Sequence, residues 1–205
     1  MELLIATKNR HKVEEIFAIL RVPGLRLYSM HDYPDLPDVE EDGATFEANA
    51  AKKALALARV TGLWALADDS GLEVETLDGA PGVYSARYAG EPVNYHANNR
   101  KLLEALRGAH DRRARFRSVL ALASPTGECR TVEGRCSGHI GMEERGAGGF
   151  GYDPLFIPDG YAQTFAEMSA KLKNMISHRS ASLRKACEAW GAFLAGQKDH
   201  LPPEG

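Results

Sequence analysis

Residues 1–30, MELLIATKNRHKVEEIFAILRVPGLRLYSM, decide the fold. Leu3-Leu4-Ile5-Ala6 is a short apolar run, too short for a helix, and predicts a buried strand. After Asn9, apolar side chains recur at Val13, Ile16, Phe17 and Leu20, the stripe of an amphipathic helix. Pro23-Gly24 closes that helix, and Leu25 to Met30 alternates as a second strand. A β-α-β opening predicts an α/β class in which helices cover a partly parallel sheet.

Working outward, residues 31–43 (HDYPDLPDVEEDG) are rich in proline and acid and predict a loop. Thr45 is a natural N-cap for an alanine-rich helix from Phe46 to about Val60, closed by Gly62. Trp64–Ala67 and Leu72–Thr76 predict strands on either side of Asp68-Asp69-Ser70-Gly71. A turn at 79–82 and a helix from about Asn94 to Leu106 follow. Phe116–Ala123 and Cys129–Ile140 flank Ser124-Pro125-Thr126-Gly127, a hairpin signal. The sheet should therefore be mixed. The last helix runs from about Arg179 to Leu194, with Leu183, Cys187, Trp190 and Leu194 on one seam. With no internal repeat or linker, the chain reads as one domain over 1–196 with a polar, frayed tail at 197–205.

Composition narrows the function. With 25 Lys plus Arg against 28 Asp plus Glu, the net charge is -3, which disfavours a duplex-coating protein. The 44% apolar content argues against disorder. Cys129, Cys136 and Cys187 form no CxxC pair, so neither a disulfide framework nor a zinc ribbon is expected, and a reducing cytoplasm fits. The first residues do not read as a secretory leader. The most apolar later stretch, Ala54 to Ala67, is interrupted by Arg59 and Thr61 and falls short of a membrane span.

Three places carry chemistry. Thr7-Lys8-Asn9-Arg10-His11-Lys12 lies between the first strand and the first helix. Three cations at a helix N-terminus oppose its dipole unless an anion neutralises them, so the turn is a candidate phosphate site. Asp68-Asp69 follow an apolar strand. Adjacent carboxylates repel and call for a cation, a proton or solvation, and an all-oxygen set with Glu40 and Glu41 suits Mg²⁺. The third place is Gly146–Pro154, GAGGFGYDP. It contains G-x-G-x-x-G, but proline follows where a dinucleotide fold needs a helix, so that fingerprint is rejected. Phe150 and Tyr152 instead suggest a stacking platform for a planar group, with core packing as the alternative. Lys173, His178 and Arg179 stand before or at the start of the last helix, where cations again favour a ligand role. The run Arg112, Arg113, Arg115, Arg117 predicts one solvated strand face.

Taken together, these motifs resemble the inosine triphosphate pyrophosphatase family: ATKNRHK at 6–12, EE-x-G-x-TF-x-x-NA-x-x-KA from Glu40, ADDSGLEV at 67–74, GAPGVYSARYAG at 79–90, GGFGYDPLF at 148–156 and K-x-x-ISHR at 173–179. The resemblance runs nearly end to end. It implies a two-lobed mixed α/β fold with the active site in the cleft between lobes, a homodimer, and Mg²⁺-dependent hydrolysis of dITP, ITP and XTP to monophosphate and pyrophosphate, with Mn²⁺ as a substitute ion. By resemblance Thr7, Lys8, Asn9, Arg10, His11, Lys12 and Lys53 serve the phosphates, and Lys53 is counted with the catalytic groups. Glu40 and Asp69 hold the metal, and Asp69 is the presumed general base. Ser70 contacts substrate, Phe150, Gly151, Tyr152 and Asp153 form the base loop, and Lys173, His178 and Arg179 surround the purine.

From the residues alone, either Asp68 or Asp69 can take the proton from water. A nucleotide-sensing module that binds without turnover is the rival reading, and an RNA binder using Arg112–Arg117 is a weaker one. Neither a nucleic acid nor a membrane is expected as a partner.

Overall fold

The computed structural model describes residues 1–198 and 200–201; the rest of the tail expected at 197–205 lies outside the described residues. The elements run β1 (Glu2–Ile5), α1 (Arg10–Ile19), β2 (Arg26–Ser29), α2 (Phe46–Thr61), β3 (Trp64–Val74), α3 (Tyr95–Ala105), β4 (Arg113–Ala123), β5 (Cys129–Ile140), β6 (Phe156–Pro158), α4 (Ala170–Ile176) and α5 (His178–Leu194). They build a six-stranded sheet in the order β2-β1-β3-β4-β5-β6. β1 is parallel to both β2 and β3, whereas β5 and β6 are antiparallel, so the sheet is mixed as expected. Among the described residues no helix is long and apolar enough to cross a membrane.

The chain divides into two compact units. Unit 1 comprises Met1–Asp69, Ser118–Gly134 and the segment from Arg179 onward; unit 2 comprises Ser70–Arg117 and Arg135–His178. In unit 1 the α5 stripe Leu183, Ala186, Trp190, Phe193 and Leu194 packs with Leu3, Ile5 and Leu66 of the central strands and Ile16 of α1. Each leucine, isoleucine or phenylalanine among them, fully buried, contributes about 1.5–3 kcal/mol. Leu201 is buried in the same cluster, so apolar packing reaches into the polar tail. Unit 2 closes around Leu72, Leu102, Phe116, Tyr152, Phe156 and Phe165.

The boundaries of α2 follow its caps. The Thr45 hydroxyl accepts the Ala48 N–H at 3.1 Å, and Gly62 ends the helix at φ 70°. Replacing such an N-cap costs about 1 kcal/mol. The stretch 64–76 departs from expectation: instead of two strands around a turn, β3 is continuous through Asp68-Asp69-Ser70-Gly71. Polar side chains from elsewhere accept this backbone in extended form. Lys53 Nζ donates to the Asp68 carbonyl at 2.9 Å, and the Leu72 N–H donates to Ser85 Oγ at 2.9 Å. Two short elements, α4 and β6, carry no clear sequence signal; α4 is set by its Ser169 cap, which accepts the Leu172 N–H.

Candidate active site

Extended backbone at residues 68–69 sends the two adjacent carboxylates to opposite faces of β3. β1 ends at Ile5 opposite Leu66, so both acids lie just past the carboxyl end of a parallel strand, where ligands of α/β sheets gather. Asp68 is fully buried with both oxygens committed. Its Oδ1 accepts from Ser118 Oγ at 2.6 Å; its Oδ2 meets Lys12 Nζ at 2.8 Å and Arg179 Nη2 at 3.1 Å. Burial alone would raise its pKa, but Arg179 and Lys12 prevail and hold the carboxyl well below the usual range. Arg179 is buried as completely, and its Nη1 pairs with Glu15.

Asp69 behaves oppositely. Burial pushes its carboxyl above the ordinary value, Lys53 and Lys12 pull it back, Glu41 pushes it up further, and an Asn49 hydrogen bond opposes. α2 organises that environment. Lys53 Nζ bonds Glu41 at 2.6 Å, Lys52 bonds Asp42 at 2.6 Å, and Asn49 Oδ1 accepts the Gly43 N–H at 2.8 Å. One helix face thus pins the acidic loop. Glu41 rather than Glu40 takes the lysine; Glu40 lies exposed. A side-chain amide such as Asn49 has no distinctive sequence signal beyond its i, i+4 spacing from Lys53.

The phosphate-turn candidates separate. Asn9 caps α1, accepting the His11 and Lys12 N–H groups, and Thr7 Oγ1 accepts the Asn9 N–H. Lys12 points to Asp68, whereas Lys8 pairs with Asp38 at 2.7 Å, and Arg10 and His11 are exposed.

Within unit 2 a second buried pair centres on the glycine-rich loop. Lys173 Nζ lies 2.5 Å from Asp153 Oδ2, which also accepts the Phe150 N–H at 2.8 Å. The ammonium lies 5.0 Å from the Phe150 ring centroid. Only glycine fits at 149, where φ is 69° and a Cβ would stand 2.0 Å from the Asp153 carboxylate. Gly151 also sits at positive φ. The two loop aromatics differ: Tyr152 is buried in the apolar cluster, and Phe150 remains half-exposed. His178 stacks on Phe116 at 4.6 Å and 14°. Ser70 opens this unit on β3, half-buried. His178 and Arg179, adjacent in sequence, thus enter different units, the arginine joining the Asp68 cluster.

The arginine run of β4 is spent internally. Arg115 and Arg117 both pair with Glu73, Arg113 pairs with Asp111 and Glu75, and Arg112 donates to the carbonyls of Leu106, Ile140 and Gly141.

The fold and site define a mixed α/β protein with a buried carboxylate pair beside Lys12, Lys53 and Arg179, just past the end of a parallel strand. The chain belongs to the Ham1 family, whose model matches residues 3–189. It is 55% identical over 190 residues to a dITP/XTP pyrophosphatase of Desulforamulus reducens, covering 92% of this chain and 94% of the relative. It is 50% identical over 205 residues to a dITP/XTP pyrophosphatase of Geobacter sulfurreducens, covering 99% and 98%. Among solved structures, the Ham1 protein of Staphylococcus aureus superposes with a TM-score of 0.83 at 41% identity, covering 97% of this chain and all of that one.

Proposed function

We propose that the chain is a nucleoside triphosphate pyrophosphohydrolase that hydrolyses nonstandard purine triphosphates (dITP, ITP and XTP) to the monophosphate and pyrophosphate. The observation that carries this reading is the contrast at 68–69: Asp68 is consumed by Lys12, Arg179 and Ser118, while its neighbour Asp69 has a carboxyl of raised proton affinity among lysines. Relatives named dITP/XTP pyrophosphatase at about half identity support the substrate class.

Asp69 is accordingly the general base. It takes the proton as the water oxygen bonds to the α-phosphorus and the bridge to the β-phosphorus breaks, with pyrophosphate leaving. Phosphoryl transfer asks mainly for positioning and charge neutralisation, and Lys12 and Lys53 supply positive charge beside the base. A second carboxylate that raises the proton affinity of Asp69, as Glu41 does, makes with it an oxygen-only donor set that fits Mg²⁺, with Mn²⁺ as substitute. Asp69 with a carboxylate of the Glu40-Glu41 pair would hold the ion, which supplies neutralisation of the phosphates when bound.

In unit 2, Phe150 is the stacking surface and Lys173 and His178 the donors toward the base; Arg179, which the resemblance also assigns to the purine, is instead buried against Asp68 and Glu15. Lysine only donates, so a 6-oxo purine meets acceptor to donor, whereas the adenine amino group meets donor to donor. A buried mismatch of this kind costs about 1–3 kcal/mol. A homodimer is the assembly the resemblance implies, and three cysteines without a CxxC pair fit a reducing cytoplasm.

Incubation with dITP, XTP and ATP, with Mg²⁺ or EDTA, followed by pyrophosphate detection tests the proposal. Pyrophosphate from dITP and XTP, little from ATP and none after chelation is the expected result. Binding without turnover would leave the sensing module, and full turnover in EDTA would remove the metal.

A further inference from the structure

The segment 79–90, GAPGVYSARYAG, contributes no group to the chemistry above, yet buried polar side chains of unit 2 converge on it. Asn98 lies on α3 at 1% exposure. Asparagine is a poor helix-interior residue, so a buried one earns its place through its amide. Its Nδ2 donates to the Ala86 carbonyl at 2.8 Å and the Ser85 carbonyl at 3.4 Å, and its Oδ1 accepts the Ala89 N–H at 2.7 Å. The Ser85 hydroxyl donates to the Gly82 carbonyl at 2.6 Å and accepts the Leu72 N–H of β3. The Ser85 carbonyl, held from one side by Asn98, accepts the Tyr152 hydroxyl at 2.9 Å. Burial raises that phenol above its usual range, so it remains a donor.

The loop at the end of this chain of bonds needs support. Gly146, Gly148, Gly149 and Gly151 leave it with the most backbone freedom to lose on ordering. Lys173 and Asp153 hold the Phe150 N–H from one side. Tyr152 fastens the loop from the other.

We infer that Asn98, Ser85 and Tyr152 form a positioning relay that fixes the glycine-rich loop so that Phe150 is preset for the purine base. The inference rests on the reading of that loop as the base site. These residues act through Phe150, and none of them touches the reacting atoms. The relay therefore governs how well the nucleotide is held rather than how fast it is cleaved.

The test is a double-mutant cycle on ITP hydrolysis with Tyr152→Phe, Phe150→Ala and both together, with urea unfolding recorded for each. Tyr152→Phe keeps the ring and removes one hydrogen bond, so KM should rise about three- to tenfold with kcat changed less than about twofold. Phe150→Ala should raise KM by about five- to 150-fold, the range of one lost stacking contact. In the Phe150→Ala background, adding Tyr152→Phe should move KM by less than about 1.5-fold, because the residue acts through the ring already removed. Asn98→Ala should raise KM in the same sense; if it does not fold, the Tyr152 cycle still decides. An unchanged KM in Tyr152→Phe, or the same factor in both backgrounds, overturns the relay and leaves the base-loop reading standing. An unchanged KM in Phe150→Ala overturns the base-loop reading and the relay with it.

Discussion

Each unit has a buried ion pair, and the two pairs hold different things. In unit 1 Asp68 gathers Lys12, Arg179 and Ser118, and Arg179 also binds Glu15, so the network fixes charges on three elements. In unit 2 Asp153 takes Lys173 and the Phe150 N–H, with the rings of Phe150 and Phe165 around the cation. The first arrangement locks two cations and two anions into one network; the second sets the shape of a loop. Orphaned partners also respond differently. An arginine stays charged, whereas a lysine can shed its proton and limit the cost of burial.

That contrast can be broken by deleting each anion. Asp68→Ala leaves Arg179 and Lys12 short of a counter-charge and should destabilise the protein by about 3–5 kcal/mol. Asp153→Ala should cost less, because it leaves one cation short of a counter-charge rather than two. Urea unfolding at pH 7 with unchanged m values checks the order, and the reverse order would make the loop pair the stronger network. Ser118→Ala removes one donor from a buried charge and should cost about 1.5–3 kcal/mol in the same assay.

The smallest effect is in pH dependence. The folded carboxyl of Asp68 is depressed well below its ordinary value of 3.8. Its contribution to stability is therefore full above the unfolded pKa and is lost as pH falls through the folded one. For metal-free protein, the decline in stability between about pH 5 and pH 2 should be shallower in Asp68→Asn than in wild type. Parallel declines would show that the network does not depend on that charge.

The sequence made the opening β-α-β legible because the apolar period changes cleanly at Asn9, and it made α2 legible because Thr45 and Gly62 bracket it. It misread β3 because Asp-Asp-Ser-Gly has turn composition, and only tertiary donors such as Lys53 and acceptors such as Ser85 make that backbone extended. In the site, Lys12 and the acid pair stood out by charge, and Lys53 only through the resemblance. Two features did not. Ser118, inside an apolar strand, looks like any small residue. Which of Glu40 and Glu41 turns toward Lys53 depends on loop geometry that neighbouring identical residues cannot encode. The same limit hid the split of His178 from Arg179, since the unit boundary falls between them.

The central claim is that Asp68 holds charge while Asp69 does chemistry, and comparison of Asp69→Asn with wild type tests it most directly. Steady-state ITP hydrolysis and urea unfolding would be measured on the same preparations. The account predicts a fall in kcat of about 10²–10⁴-fold, the range for a lost general base, with the unfolding midpoint held or raised as a buried charge is relieved. An Asp69→Asn variant that unfolds early, or that retains more than about half the wild-type kcat, would contradict it.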